Sequence, residues 1–298
     1  MVKISVIMAV YNGSSRLRET LASIAAQTEP DFELIVVDDG STDDTPHILA
    51  SFPDPRLRVI TQPNAGLTRA LIRGCAEARA DAIARHDSGD RSHPDRFRRQ
   101  LALLDQHVLV AAATRMRGPA AEELYISRGD GDEVRRSLLH DPAARIHGIP
   151  HHASSMFRRE DYLAAGGYRE AFRFAQDLDL WIRLASGGPI AIVDEVLYEA
   201  TLEPSSISSI HRREQEELTR LAVALRDSGD DAEPALLAEA ARVLPSRKAS
   251  KRDEAAGLYF IAKCLRRQHD RSWRRYLLRA LARNPLHLRS WASLLLGR

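Results

Sequence analysis

Two apolar runs in this 298-residue chain stop abruptly on carboxylates. Leu34-Ile35-Val36-Val37 ends at Asp38-Asp39, followed by Gly40 and the oxygen-rich Ser41-Thr42-Asp43-Asp44. Ala82–His86 ends at Asp87-Ser88-Gly89-Asp90. A short β-branched-rich run reads as a strand buried on both faces of a parallel sheet. Open α/β sheets bind their ligands beyond the C-terminal ends of such strands. The acids therefore have two readings: ligand-facing groups, or turn residues that cap the next helix.

Strands and helices that would position these acids alternate through the first hundred or so residues. Strands are expected at Lys3–Val10, Glu33–Val37, Leu57–Thr61, Ala82–His86 and Val108–Ala113. Helices are expected at Arg16–Gln27, Asp43–Phe52, Leu67–Ala78 and from His93-Pro94 through Leu104. That order predicts a doubly wound α/β sheet. From Arg115 to Pro150 the pattern is irregular. Ser154–Phe157, Ile190–Val193 and Val196–Tyr198 read as short strands, and the chain after Ser209 as almost wholly helical, broken at Asp227–Pro234. No G-x-G-x-x-G follows a strand and no G-x-x-x-x-G-K-[ST] occurs, which argues against dinucleotide redox chemistry and a P-loop ATPase.

Composition is that of a soluble globular protein, 44% hydrophobic and 28% charged. No run reaches the length of a membrane span and no signal-peptide core opens the chain. Cys75 and Cys264, far apart and without metal-ligand spacing, read as reduced thiols of a cytoplasmic protein. The net charge of +2 is uneven: residues 263–298 carry ten Lys/Arg against Asp270 alone, or +9, so the preceding part carries −7. A basic tail on an acidic body points to an anionic partner.

With these pieces placed, the chain resembles the family-2 glycosyltransferases of the GT-A nucleotide-sugar-binding fold. The resemblance is carried by S-V-I-M-A-V-Y-N-G (5–13), V-V-D-D-G-S-T-D-D-T (36–45), N-A-G-L (64–67), H-D-S-G-D-R-S-H-P-D-R (86–96), S-S-M-F-R-R-E (154–160), G-G-Y-R-E (166–170) and Q-D-L-D-L-W (176–181). It covers about residues 3–200 in order. The implied architecture is a Rossmann-like, mostly parallel sheet with helices on both faces, over 1–208. A nucleotide-sugar half (1–114) precedes an acceptor half (115–208), and a helical region (209–298) follows.

The resemblance implies an inverting enzyme that moves a sugar from a nucleotide-diphosphate sugar to a hydroxyl of a glycan or lipid-linked acceptor, in surface polysaccharide synthesis. Ala9 and Tyr11 would line the nucleobase, Tyr11 by stacking, unless its ring is buried to hold a turn. Asp38 and Asp39 would accept hydrogen bonds from base and ribose. Asp87 would contact the nucleotide sugar, and Asp87 and Asp90 would hold Mn²⁺ or Mg²⁺ against the diphosphate. Gly89 departs from the commoner D-A-D-D, so Asp90 must swing in or the site binds metal weakly or not at all. The alternative reading is thus a weak or inactive nucleotide-sugar-binding protein. In a further alternative Asp90 merely caps the His93 helix.

Asp177 matches the general base that takes the acceptor proton, with Asp179 structural and Trp181 packing. Without a third spaced partner His151 and His152 read as loop histidines, and Arg69, Arg158 and Arg159 as solvated. The basic tail either rests on an anionic membrane, making the protein peripheral, or packs Trp273, Tyr276 and Leu277 back on the body. No nucleic-acid module is recognisable.

Overall fold

The computed structural model describes residues 2–204, 210–244 and 250–295. Side-chain alternation builds its central layer. In β1 (Ile4–Val10), Ile7 joins one apolar layer while Ile4, Val6, Met8 and Val10 join the other. In β2 (Phe32–Asp38), Ile35 and the Phe32, Leu34, Val36 set divide in the same way. Both strands are therefore mostly apolar, as expected for strands covered on both faces, and the buried Ser5 hydroxyl donates to Glu33 at 2.7 Å.

β3 (Leu57–Thr61), β4 (Ala82–Asp87), β5 (Arg91–Ser92), β6 (Leu109–Arg117), β7 (Glu123–Ser127), β8 (Met156–Arg158) and β9 (Ile190–Thr201) complete a nine-stranded sheet. Its order is β3-β2-β1-β4-β8-β6-β9-β5, with β7 on β6. The expected parallel arrangement holds for β3-β2-β1-β4 and again for β6–β9. β8 is antiparallel to both β4 and β6, which makes the sheet mixed.

Helices α1 (Ser14–Ala25), α2 (Thr45–Ser51), α3 (Leu67–Ala76) and α4 (Arg96–Leu104) connect the early strands close to where the sequence puts them. His93-Pro94 is a difference. The His93 N–H donates to the Leu197 carbonyl, so this segment belongs to the sheet margin and α4 starts at Arg96. α4 also completes the sheet where β8 is too short. Buried Arg96 donates to the Arg85 and Ser155 carbonyls, and Gln100 to those of Val110 and Ser154. These side-chain donors add hydrogen bonds to buried carbonyls, that of Ser155 already accepting the Arg85 N–H at 2.9 Å.

The irregular stretch holds β7 and α5 (Gly131–His140), followed by α6 (Arg159–Ala164) and α7 (Gln176–Gly187). The two short strands expected at 190–198 are one strand, β9, kinked by register shifts against Ala112–Thr114. Irregularity of this kind hides a continuous strand from a pattern reading. Then come α8 (Arg212–Asp227), α9 (Glu233–Arg242), α10 (Lys251–Arg267), α11 (Trp273–Arg283) and α12 (Leu288–Leu295).

The C-terminal helices pack on the sheet. Leu258, Ile261, Leu265, Tyr276 and Leu277 share an apolar cluster with Met116, Leu124, Tyr198 and Ala200. The Tyr276 hydroxyl donates to Glu122 at 2.6 Å. Tyr276 and Leu277 thus follow the body-packing reading, while Leu278, Leu286, Leu288, Trp291 and Leu295 stay exposed. Among the described residues no helix is long and apolar enough to cross a membrane.

Candidate functional site

Strand register brings the acidic ends together. Ala9 of β1 lies opposite Asp87 of β4, and Val10 opposite Asp38 of β2. A cleft of about 1370 Å³ opens at these ends, lined by Ala9, Tyr11, Asp39, Asp87, Asp90 and Asp177. A single small ligand typically fills roughly 300–1,000 Å³, so this cleft has room for two substrates side by side. Asp38 is not among the lining residues. It is buried, and its Oδ1 accepts the Ser41 N–H at 3.0 Å.

Asp39 is heavily engaged. Its Oδ1 accepts from Gln62 Nε2 (2.7 Å) and the Ala65 N–H (2.9 Å), and its Oδ2 from the Gly66 N–H (2.8 Å). Gly40, at φ +79° with its α-carbon against the Asn64 backbone, lets the chain make this approach. The oxygens after it stitch two loops together instead of capping α2 through Asp44. Ser41 Oγ accepts the Asn12 N–H, Asn12 Oδ1 the Thr42 N–H, and the Asp43 carboxylate the N–H groups of Ser14 and Thr45. Tyr11, next to Asn12, lines the cleft and is 53% exposed as a residue, so it is not a buried turn anchor.

Asp87, Asp90 and His151 each present a ligand atom, all within 4.8 Å of one another. The Asp87 Oδ1 accepts from the buried Arg85 guanidinium at 2.6 Å. Burial opposes its charge, yet Arg85, His151 and His152 hold its carboxyl below the usual range. Burial first, then the charge of Asp87, pushes the Asp90 carboxyl well up. Burial foremost also lowers His151, whose buried Nδ1 has no hydrogen-bond partner. Two carboxylates, one reluctant to stay charged without a counter-ion, and a free imidazole nitrogen fit a divalent cation such as Mn²⁺ or Mg²⁺.

Gly89 explains the departure from D-A-D-D. Its φ of +98° strains any L side chain, and a Cβ there would touch nothing. Asp90 is what turns in, and it caps no helix. Its Oδ2 accepts from the Tyr198 hydroxyl (3.0 Å) and its Oδ1 from the Thr201 N–H (2.9 Å). The same hydroxyl accepts the Asp87 N–H at 3.1 Å. The Tyr198 ring stacks on His151 at 5.7 Å, with the Arg96 guanidinium 4.8 Å from its centroid. One β9 side chain therefore touches all three members of the cluster.

Asp177 enters the cleft from the first turn of α7, after Ala175 in the left-handed region (φ 54°). Burial above all raises its pKa, and the Asp87 charge adds to this, while the Leu178 N–H opposes it. Asp179 is committed to Arg183 and Arg169. Trp181 is fully buried against the edge of His152. His151 and Arg85 are the site residues that sequence reading missed. A charged Arg85 inside a buried strand was the available signal, since arginine is almost never buried without a purpose.

The sequence model of Glycosyl transferase family 2 matches residues 5–163. EpsE of Bacillus subtilis (strain 168) is 32% identical over 195 residues, 62% of this chain and 68% of that protein. The amylovoran biosynthesis glycosyltransferase AmsE of Erwinia amylovora is 26% identical over 238 residues, 76% of this chain and 87% of AmsE. Among solved structures, the mannosyltransferase PcManGT from Pyrobaculum calidifontis, in complex with GDP-Man and Mn²⁺, superposes with a TM-score of 0.59 at 21% identity. The superposition covers 98% of this chain and 83% of that one, a likeness of fold.

Proposed function

Since the chain belongs to glycosyl transferase family 2, we propose that it is an inverting enzyme that transfers a sugar from a nucleotide-diphosphate sugar to a hydroxyl of a glycan or lipid-linked acceptor, in surface polysaccharide synthesis. The observation that carries this reading is the meeting of the Asp87/Asp90 pair with the sequence-remote Asp177 in one cleft large enough for donor and acceptor.

In this reading the nucleotide lies over Ala9, Tyr11 and Asp39, with the Tyr11 ring against the base and Asp38 holding the loop beside it. Asp87, Asp90 and His151 would hold a divalent cation, which would supply charge to balance the departing diphosphate. Tyr198 keeps the two carboxylates and the imidazole in register. Asp177 takes the proton of the acceptor hydroxyl as that oxygen bonds to the anomeric carbon. The carbon–oxygen bond to the diphosphate breaks with its electron pair on the phosphate, and the configuration inverts. A base with a raised pKa holds the proton more strongly, so burial suits Asp177 to that task.

Residues 1–114 supply the donor side, 115–208 the acceptor side, and 209–298 a helical region. The protein works in the cytoplasm, and the exposed leucines and Trp291 of its basic C-terminal segment touch an anionic membrane surface while Tyr276 and Leu277 stay packed on the body.

Thermal unfolding with UDP, GDP, dTDP and CDP, each with Mn²⁺ and with chelator, tests the donor reading. One nucleotide with Mn²⁺, at a hundred times its dissociation constant, is expected to add about 2.7 kcal/mol of stability. No shift with any nucleotide would sink the reading, and an equal shift in chelator would remove the cation from it. Mass-spectrometric detection of sugar transfer separates an enzyme from an inactive binding protein.

A further inference from the structure

α10 has two working faces. Ala255, Leu258, Ile261 and Leu265 are buried in the cluster with Met116, Tyr198 and Ala200. Ala256, Gly257 and Phe260, on adjacent turns, line the cleft instead. Phe260 is 45% exposed as a residue. Solvated Phe is costly unless something covers it, by the ordinary area dependence of apolar burial. The helix is also pinned. A Cβ on Gly257 would stand 2.2 Å from the Pro204 carbonyl oxygen, so backbone meets backbone at this point.

That contact ties Phe260 to the reaction centre by a short length of chain. Thr201, at the end of β9, gives its N–H to Asp90, and Pro204 is three residues further on. Three extended residues reach at most about 11 Å. Between them lies Glu203, a cleft residue whose carboxylate stands 3.7 Å from Arg16. Arg212 and Gln215 of α8 line the same cleft. An apolar ring with carboxylate, guanidinium and amide groups in one cleft matches the two surfaces of a pyranose. The C–H face covers the ring, and the hydroxyls meet donors and acceptors.

We infer that Phe260, with Glu203, Arg212 and Gln215, forms a carbohydrate subsite in which a sugar ring of the acceptor stacks on Phe260. The subsite rests on the glycosyltransferase reading above and adds the acceptor's chemistry to it. The C-terminal helices are then part of acceptor recognition.

The test is saturation-transfer NMR on the full chain, with n-octyl β-D-glucoside below its micelle concentration and the methyl glycosides of glucose, galactose, mannose and N-acetylglucosamine. Nucleotide binding is followed in parallel by thermal shift. Ring protons of at least one glycoside are expected to be saturated by the wild type and by Phe260→Tyr. Phe260→Ala is expected to bind that glycoside about tenfold more weakly, with the nucleotide shift unchanged. Undiminished binding in Phe260→Ala overturns the subsite. So does saturation confined to the octyl chain, or no glycoside signal from a wild type that binds nucleotide. A wild type that binds no nucleotide overturns the donor reading, and the subsite with it.

Discussion

The Asp177 carboxyl sits in the first turn of α7, where burial raises its pKa and the Leu178 N–H is its one backbone counterweight beyond its own. If it is the base, it must be ionised to act, so the transfer rate falls as pH drops through that raised pKa. The acid limb should therefore lie above the ordinary carboxylate range. The stability sign is opposite. A carboxyl whose folded pKa is raised contributes stability that is present below its unfolded pKa and lost as pH rises through the folded one. Asp177→Asn should thus lower the transfer rate by about 10²–10⁴-fold, leave the nucleotide thermal shift intact and raise the melting temperature at neutral pH. Unchanged turnover in that variant would remove Asp177 from the chemistry. Asp177 is legible as an acid at a helix start. The resemblance already gave Asp179 a structural role, but the reason for it was not legible, because Arg169 and Arg183 reach it only after α7 has packed.

Elements carry the next decisions. The end of β9 and the residues after it tie the cation cluster to the C-terminal helices, through Tyr198 and Thr201 in the strand and Pro204 against Gly257 beyond it. Gly257→Ala tests that tie, since two effects compete there. Alanine is worth about 1 kcal/mol over glycine inside a helix. Its methyl would have to push α10 off the Pro204 backbone, a displacement that costs about 1–3 kcal/mol and has no flexible side chain to absorb it. Calorimetry should find a melting temperature lower by several degrees, and a rise would mean that α10 is not pinned. The strand itself was hidden from the sequence. Its register shifts against β6 break the alternation, so two fragments were visible where one element runs. α4 was visible, but its side chains' service to carbonyls of β4, β6 and the Ser154-Ser155 segment before β8 was not.

Across the whole molecule, charge and apolar exposure coincide at the C-terminal end. Leu278, Leu286, Leu288, Trp291 and Leu295 are exposed within the segment that carries +9. Each basic group near an anionic bilayer is worth about 1 kcal/mol, and the exposed leucines and tryptophan can enter the interface. The chain is expected to sediment with phosphatidylglycerol vesicles at low salt, far less with phosphatidylcholine, and to be released at 1 M salt, where electrostatic attraction reaches only about 3 Å. Equal binding to both lipids would refute the contact.

The sequence by itself determined the α/β class, the strand-end acids and their order, because buried strands, turns and helix periods are local patterns with local physical causes. It also located the basic tail, since charge is additive along the chain. Only the tertiary structure decided that His151 joins Asp87 and Asp90, that Gly89 is a conformational necessity, and that Phe260 faces the cleft. Those facts depend on which distant segments share a surface, and that follows from packing of the completed sheet.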